Sequence, residues 1–501
     1  MGTLLPLPVV VPLLGAALTL LLATHPGIQR AVSVLCLAGT FIVAVVLLVQ
    51  AYHYGPVVMV IGGWPAPVGI VLVADQLAAL MLVVSSAVTL CVLLYSVGQG
   101  RSETGETTPV VIFHPTYLVL TAGVTTAFLA GDLFNLFVGF EILLVASFVL
   151  ITLGGTEARI RTGSTYVVVS ILSSMIFLTA VGLVYAATGT LNLAQLSQRL
   201  DALPDRVRLA LQLMLLLAFA IKAAVFPLSA WLPDSYPTAP APVTAVFAGL
   251  LTKVGVYAII RIETLLFPDG QVDDLLMVVA GLTMLVGILG AVAQSDLKRL
   301  FSFTLVSHIG YMIFGVALST AAGLSGAIFY VVHHITIQTT LFLVAGLVEE
   351  RAGSTDLRRI GGLARVAPLL GVLFFVPAMN LAGVPPFSGF LGKLGLLQAG
   401  VAAGGPLPFA LVGAGTLTSL LTLYVASRVW NIAFWRAPRI ATGEPVVQLP
   451  RLMIGATVAL VAFGLALTVL AGPLFDVTTD AATDLLSRTP YVRAVLPDGA
   501  P

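Results

Sequence analysis

Apolar residues run along this chain in long blocks separated by short polar gaps. A helix that crosses a bilayer needs about 20 consecutive apolar residues, because each residue adds only about 1.5 Å. Fourteen blocks reach that length, at residues 3–23, 31–52, 75–96, 114–131, 132–153, 163–187, 208–229, 240–262, 275–294, 299–319, 323–348, 368–399, 408–431 and 451–473. The stretch 54–74 is broken by glycine and proline and rich in β-branched residues, so it predicts an extramembrane hairpin. The tail after residue 476 is polar and predicts a peripheral segment. The expected fold class is an all-α polytopic membrane protein of about 14 transmembrane helices, with no soluble domain.

Composition agrees with the pattern and narrows the function. Hydrophobic residues are 59% of the chain and charged residues 9%, against about 25% charged in soluble proteins. So little charge cannot coat a water-facing surface of this size, and the apolar excess faces lipid. A net charge of +1 provides no basic field for nucleic acid. Cys36 and Cys91 sit inside apolar runs, with no CxxC pair and no Cys/His cluster. They read as small buried hydrophobes, and no metal centre or disulfide framework is expected. No phosphate-binding glycine motif appears, so no nucleotide and no cofactor is expected. The first apolar run has no basic segment before it and reads as a retained span.

Basic residues set the expected orientation. Of 23 Lys and Arg, fourteen fall in loops after odd-numbered spans, Arg101 and Arg439 among them. Six fall in loops after even-numbered spans or in the tail. Positive charge gathers on cytoplasmic loops, so both termini are expected outside. The remaining three, Lys222, Lys253 and Lys393, lie within spans of a chain that has only four lysines.

Two local matches indicate an internal repeat. DLxxLF opens the fifth span at Asp132 and the tenth at Asp296, an offset of 164. Pro227-Leu228-Ser229-Ala230-Trp231-Leu232 matches Pro386-Phe387-Ser388-Gly389-Phe390-Leu391 at an offset of 159. The offset equals five spans, an odd number, so the copies face opposite ways across the bilayer as in many secondary transporters. The units expected are residues 114–265 (spans 4–8) and 266–432 (spans 9–13), flanked by residues 1–113 and 433–501. The second match falls on proline-broken helices, at Pro227 in span 7 and at Pro385 and Pro386 in span 12. Proline removes an N–H and frees the carbonyl one turn earlier. Such freed groups are tolerated at membrane depth only inside protein or along a wet cavity.

Ionisable residues within the spans point to transport. Glu141 reads as the only carboxylate well inside a span, nine residues and so about 13 Å past Asp132. Lys222 lies fourteen residues, about 21 Å, past Arg208. An intramembrane charge costs about 2.5–3.5 kcal/mol, so Glu141, Lys222, Lys253 and Lys393 together mark an ion or proton path. Glu141 approaching or leaving Lys222 would switch the lysine between charged and neutral forms. His308, His333 and His334 are relay candidates. Thr304, His308 and Tyr311 share a face of span 10, while His334 and Gln338 share one on span 11. Ser170, Ser173 and Ser174 form a stripe on span 6 that is a candidate water lining. For each hydroxyl the competing reading is a bond to its own helix backbone.

The segments GDLFNLFVGFEILLVASFVLI (131–151), AIKAAVFPLSAWLPDSYPTAPAPVTAVFAGLLTKVGVYAIIR (220–261), SDLKRLFSFTLVSHIGYM (295–312), YVVHHITIQTTLFLVAG (330–346) and GVPPFSGFLGKLGLL (383–397) carry a family likeness. Together they resemble the antiporter-like subunits shared by respiratory complex I, membrane-bound hydrogenases and Mrp-type cation/proton antiporters. Within that family, GDLFNLFVxFE in a chain of this length is most similar to the D-subunit branch of the Mrp antiporters. The resemblance implies fourteen spans with the seventh and twelfth broken. It also implies a glutamate–lysine pair at Glu141 and Lys222, a relay lysine at Lys253 and a terminal ionisable group at Lys393. Family members commonly carry Lys or His where this chain has Gln338, which leaves the centre of the relay to His308 or a span-11 histidine.

The function expected is proton translocation within a hetero-oligomeric monovalent cation (Na⁺)/H⁺ antiporter of a bacterial or archaeal cytoplasmic membrane. The alternative is a proton-pumping subunit of NADH:quinone oxidoreductase or a membrane-bound hydrogenase. Neither role makes the chain an enzyme by itself, and both require other membrane subunits.

Overall fold

The computed structural model describes residues 2–100, 110–437 and 448–497, so Arg101 and Arg439 lie outside the described residues. The helices in order are α1 (Leu7–Leu21), α2 (Pro26–Tyr54), α3 (Gln76–Gln99), α4 (Val110–Leu129), α5 (Leu133–Thr152), α6 (Glu157–Thr188), α7 (Leu193–Arg199), α8 (Asp205–Ala223), α9 (Trp231–Ser235), α10 (Ala241–Val246) and α11 (Thr252–Leu265). There follow α12 (Asp273–Val292), α13 (Leu297–Ala317), α14 (Ala321–Ala352), α15 (Leu363–Val366), α16 (Pro368–Ala382), α17 (Ser388–Ala403), α18 (Pro406–Val429), α19 (Arg451–Val469), α20 (Ala471–Ser487) and α21 (Thr489–Val495). The stretch between α2 and α3 is a hairpin, β1 (Val57–Val60) paired antiparallel with β2 (Val71–Ala74).

Twelve helical stretches among the described residues are long and apolar enough to span a bilayer. The two sequence blocks missing from that set are the seventh and twelfth. The block at 208–229 stops as a helix at Ala223, with Ala224 left-handed at φ 58°. The block at 368–399 is two helices, α16 and α17, parted at Gly383 to Phe387. The first of these keeps a 19-residue helix, α8, that carries Arg206, Arg208 and Lys222, whereas at the second length and hydropathy overstated continuity, because proline cannot donate to the helical ladder. The eighth block extends to Leu265 rather than 262, and it contains a five-residue π-turn at Phe247–Leu251. That extension brings Glu263, 8% exposed, inside the candidate span. Glu263 lies two residues from the end of that span, whereas Glu141 is midway along its own.

The expected peripheral tail packs on the body. Arg488, at the end of α20, donates to Ser197 O and to Asp201 Oδ2, both at 3.1 Å. Tyr491 places its ring 5.2 Å from the Arg261 guanidinium. Arg261 in turn grips Asp75 through two bonds of 2.5 and 2.9 Å, and Asp75 caps α3 by accepting from Ala78 N. The tail thus closes over a buried ion pair that ties α3 to α11.

The two DLxxLF segments fold alike. Asp132 caps α5 by accepting from Asn135 N at 2.6 Å, and Asp296 caps α13 by accepting from Arg299 N at 2.9 Å. Leu133 N donates to Leu191 O and Leu193 N to Gly131 O, at 2.9 and 3.0 Å. The same clip recurs 164 residues on, from Leu297 N to Thr355 O and Leu357 N to Ser295 O, at 3.0 and 2.8 Å.

Close helix pairing recurs at that offset too. A Cβ on Gly123 would overlap the backbone nitrogen of Leu143, and one on Gly287 would overlap that of Ser307. Gly123→Ala and Gly287→Ala are each expected to cost about 1–3 kcal/mol by forcing helices apart. Thermal melting of the detergent-solubilised complex checks this, and unchanged melting for both variants would refute the tight pairing.

Candidate functional site

The capped start of α5 places Glu141 at its ninth residue, midway along the span. Glu141 is partly exposed, and its Oε1 has no hydrogen-bond partner among the described residues. Lys222 occupies the last turn of α8, 8% exposed, because the helix breaks just beyond it. Its Nζ donates to Ser174 Oγ at 3.2 Å and stands 4.9 Å from the centre of the Phe140 ring. Among the described residues no ion pair within 4.0 Å joins Glu141 to Lys222. The broken end of α8 is held otherwise: Trp231 Nε1 donates to Ile221 O at 3.2 Å, and Phe226 N donates to Thr283 Oγ1 at 3.1 Å.

Lys253 is fully buried at the start of α11. Its Nζ donates to Ala248 O at 2.6 Å, a carbonyl within the π-turn. The wider turn thus provides the acceptor that a regular helix would have used internally. Lys393 on α17 follows the same logic at the second break. Helices leave their last carbonyls without internal partners. Lys393 Nζ takes two of those left by α16, Leu381 O at 2.9 Å and Ala382 O at 3.1 Å.

Between the two lysines the histidines and tyrosines form a buried file. Lys393 Nζ lies 5.1 Å from the Tyr311 ring centre, and the Tyr311 and Tyr330 rings are 5.4 Å apart. Tyr330 OH meets His308 Nδ1 at 2.6 Å, and the His308 and His334 rings are 5.4 Å apart. His308 Nε2 reaches Thr422 Oγ1 at 3.3 Å. Both ring nitrogens of His334 are buried without a partner among the described residues, as are His333 Nε2 and Gln338 Oε1. His333 Nδ1 meets Ser388 Oγ at 3.0 Å, at the start of α17.

Some candidates are used structurally. Thr304 bonds back to Phe301 O at 2.9 Å, Gln338 Nε2 donates to the same carbonyl at 2.7 Å, and Tyr311 OH donates to Gly415 O. Ser173 donates across to Ala218 O at 2.9 Å, fastening α6 to α8. Ser170 lines a cavity beside Lys222. The helices end at Ala223 and Ala382, ahead of Pro227 and of Pro385 and Pro386, and the Phe226–Pro227 and Pro385–Pro386 bonds are both cis. Among the described residues no three of His, Cys, Asp and Glu gather into a metal-ligating group.

Sequence reasoning missed three participants. Tyr330 joins His308 to Tyr311, and its place one turn before His334 was the available signal. Asn380 accepts from Gly389 N at 2.8 Å across the break. Glu263 accepts from Gln212 Nε2 at 2.9 Å and was hidden because hydropathy ends its span three residues early.

Comparison with known proteins identifies the family. Residues 130–422 match the family model described as "NADH:quinone oxidoreductase/Mrp antiporter, TM". The chain is 38% identical over 499 residues to the D-subunit of the Na(+)/H(+) antiporter of Alkalihalophilus pseudofirmus, covering 99% of this chain and 100% of that one. It is 37% identical over 500 residues to the subunit of the same name from Bacillus subtilis, covering 98% of each. Its fold matches a chain in the structure of the Mrp complex from Dietzia sp. with a TM-score of 0.91 at 32% identity, covering 99% of this chain and 100% of that one. With more than half its residues inside that family model and relatives similar along their whole length, the chain belongs to the NADH:quinone oxidoreductase/Mrp antiporter transmembrane family.

Proposed function

We propose that this chain is the proton-translocating subunit of a multisubunit Na⁺/H⁺ antiporter. The observation that carries the reading is the buried file Lys393–Tyr311–Tyr330–His308–His334, which starts at one helix break and heads for Lys253 beside the π-turn. A fully buried lysine held only by carbonyls, and imidazoles with orphaned nitrogens, are poor choices for stability. They suit groups that take up and release protons between bound waters. Glu141 and Lys222 load the first unit, residues 114–265, and Lys393 terminates the second, residues 266–432. The matching caps, clips and breaks support reading these as two inverted repeats. Both termini lie outside the cytoplasmic membrane in this reading, as the basic residues indicate.

Partner subunits follow from Glu141 itself. It borders a stripe of α5 on which Phe134, Val145 and Val149 are 49%, 58% and 38% exposed. A carboxylate beside lipid at that depth is costly, so a neighbouring subunit covers it. The test is flux in vesicles that hold the whole complex. Proton movement driven by a Na⁺ gradient is expected, reversing when the gradient is reversed. Proton movement that ignores Na⁺ but follows electron transfer by a partner would instead assign the chain to a redox-driven pump.

A further inference from the structure

The turns at the two helix breaks match bond for bond at an offset of 159. Val225 N donates to Ala220 O at 3.0 Å, and Val384 N donates to Met379 O at 3.1 Å. Leu228 N donates to Val225 O at 2.7 Å, and Phe387 N donates to Val384 O at 3.1 Å. Ala224 and Gly383 are both left-handed, with φ of 58° and 84°. Each turn also presents an N–H that a threonine from another helix receives. At the first break Phe226 N donates to Thr283 Oγ1 of α12 at 3.1 Å. At the second, position 385 is proline and has no N–H, and Ser388 N donates instead to Thr468 Oγ1 of α19 at 2.9 Å. These helices hold the ninth and fourteenth apolar blocks, so the two braces are themselves five spans apart. In both, the hydroxyl hydrogen goes to the threonine's own helix, from Thr283 to Val279 O at 2.6 Å and from Thr468 to Gly464 O at 3.4 Å. A lone pair is left to accept from the break.

The first brace crosses between the two units. Phe226 lies four residues past Lys222, in residues 114–265, whereas Thr283 lies in residues 266–432. Thr283 is fully buried, and its stretch of α12 is fastened to α13, where Ser307 Oγ donates to Met284 O at 2.7 Å. Pro227 and Ala230, in the turn itself, are exposed. Lys222 Nζ meets Ser174 Oγ at 3.2 Å, the far end of the hydrogen-bond range, so a slight shift of the last turn of α8 breaks that contact. We infer that Thr283 is a positioning residue for Lys222: by accepting the Phe226 N–H it holds the broken end of α8 against the second unit. The inference rests on the proton-carrying reading of Lys222. Proton transfer needs its partners within about 2.6–3.2 Å, and a misplacement of about 1 Å can cost about a hundredfold in rate. A threonine that served the fold alone would leave the turnover of each assembled complex unchanged.

Three substitutions test the bond from both ends. Thr283→Val keeps the shape and removes the acceptor. Thr283→Ser keeps the acceptor and loses a methyl group. Phe226→Pro removes the donor, and the second break shows the same turn built on proline at the matching position 385. The measurement is Na⁺-driven proton flux in vesicles carrying the whole complex, normalised to the complex recovered. Thr283→Val and Phe226→Pro are each expected to lower turnover about tenfold without changing the half-saturating Na⁺ concentration, and Thr283→Ser to stay within about twofold of wild type. Combining Thr283→Val with Phe226→Pro should be no worse than either alone, because both remove one bond. Wild-type turnover in assembled Thr283→Val complexes, an equal loss in Thr283→Ser, or failure of both Thr283→Val and Phe226→Pro to assemble would overturn the inference and leave the role of Lys222 intact. A wild-type complex that moves no protons would overturn the reading of Lys222 itself.

Discussion

Glu141→Gln is expected to reduce antiport by about a hundredfold or more, the scale on which proton-transferring groups act, without loss of assembly. Glutamine has nearly the same shape but cannot ionise. Glu141 Oε1 accepts no hydrogen bond among the described residues, and no ion pair to Lys222 exists there to be broken. The usual structural explanation for an inactive variant is therefore absent. Lys222→Ala should be comparably damaging, and the double variant little worse than either single one, because groups that act as one unit are not additive. The measurement is Na⁺-driven proton flux, normalised to the amount of complex recovered by co-purification. Normal antiport in a well-assembled Glu141→Gln complex would remove the carboxylate from the proton path. Fully additive losses would mean that Glu141 and Lys222 act separately despite their place in neighbouring helices.

Lys393 is expected to be equally essential, and two substitutions separate its tasks. Lys393→Ala leaves the carbonyls of Leu381 and Ala382 buried without donors, at about 1–3 kcal/mol each. Reduced assembly is expected in addition to lost transport, so alanine alone is ambiguous. Lys393→Arg keeps the donors and the positive charge, but arginine stays protonated inside proteins. If Lys393 gives up a proton in each cycle, the arginine complex should assemble and remain within about tenfold of the alanine variant in its residual transport. Turnover of purified complexes across about pH 6–9 decides the matter, since arginine stays protonated throughout that range. Near-wild-type turnover would reduce Lys393 to a fixed charge that caps α16.

The contrast between the two breaks shows why side-chain roles were harder to read than helix positions. Both breaks were visible as prolines, and Lys222 and Lys393 were visible as lysines nearby. Their partners differ for reasons of packing. At the first break Trp231 reaches back to Ile221 O, and Lys222 meets Ser174. At the second, position 390 is Phe, which offers no donor, and Lys393 takes the freed carbonyls itself. A repeat alignment pairs the breaks but cannot reveal this exchange of duties. Likewise the hydrogen bond from Lys222 to Ser174 on α6 joins residues 48 apart, a contact that no spacing in the sequence announces.

What the sequence determined by itself is what one-dimensional physics controls. Bilayer thickness fixes how long an apolar block must be, so the polytopic all-α membrane class was legible. Proline cannot donate, so the breaks were locatable, and an intramembrane charge is costly, so the candidate residues stood out. Tertiary structure decided which of those residues touch. His308 meets Tyr330 from 22 residues away and Thr422 from 114, while the ring of Tyr166 on α6 meets that of Tyr236 from 70 residues on. It also placed a π-turn beside Lys253, where Gly249 packs closely against Thr339 of α14. Such contacts depend on the rotation and separation of whole helices, which hydropathy along the chain does not encode.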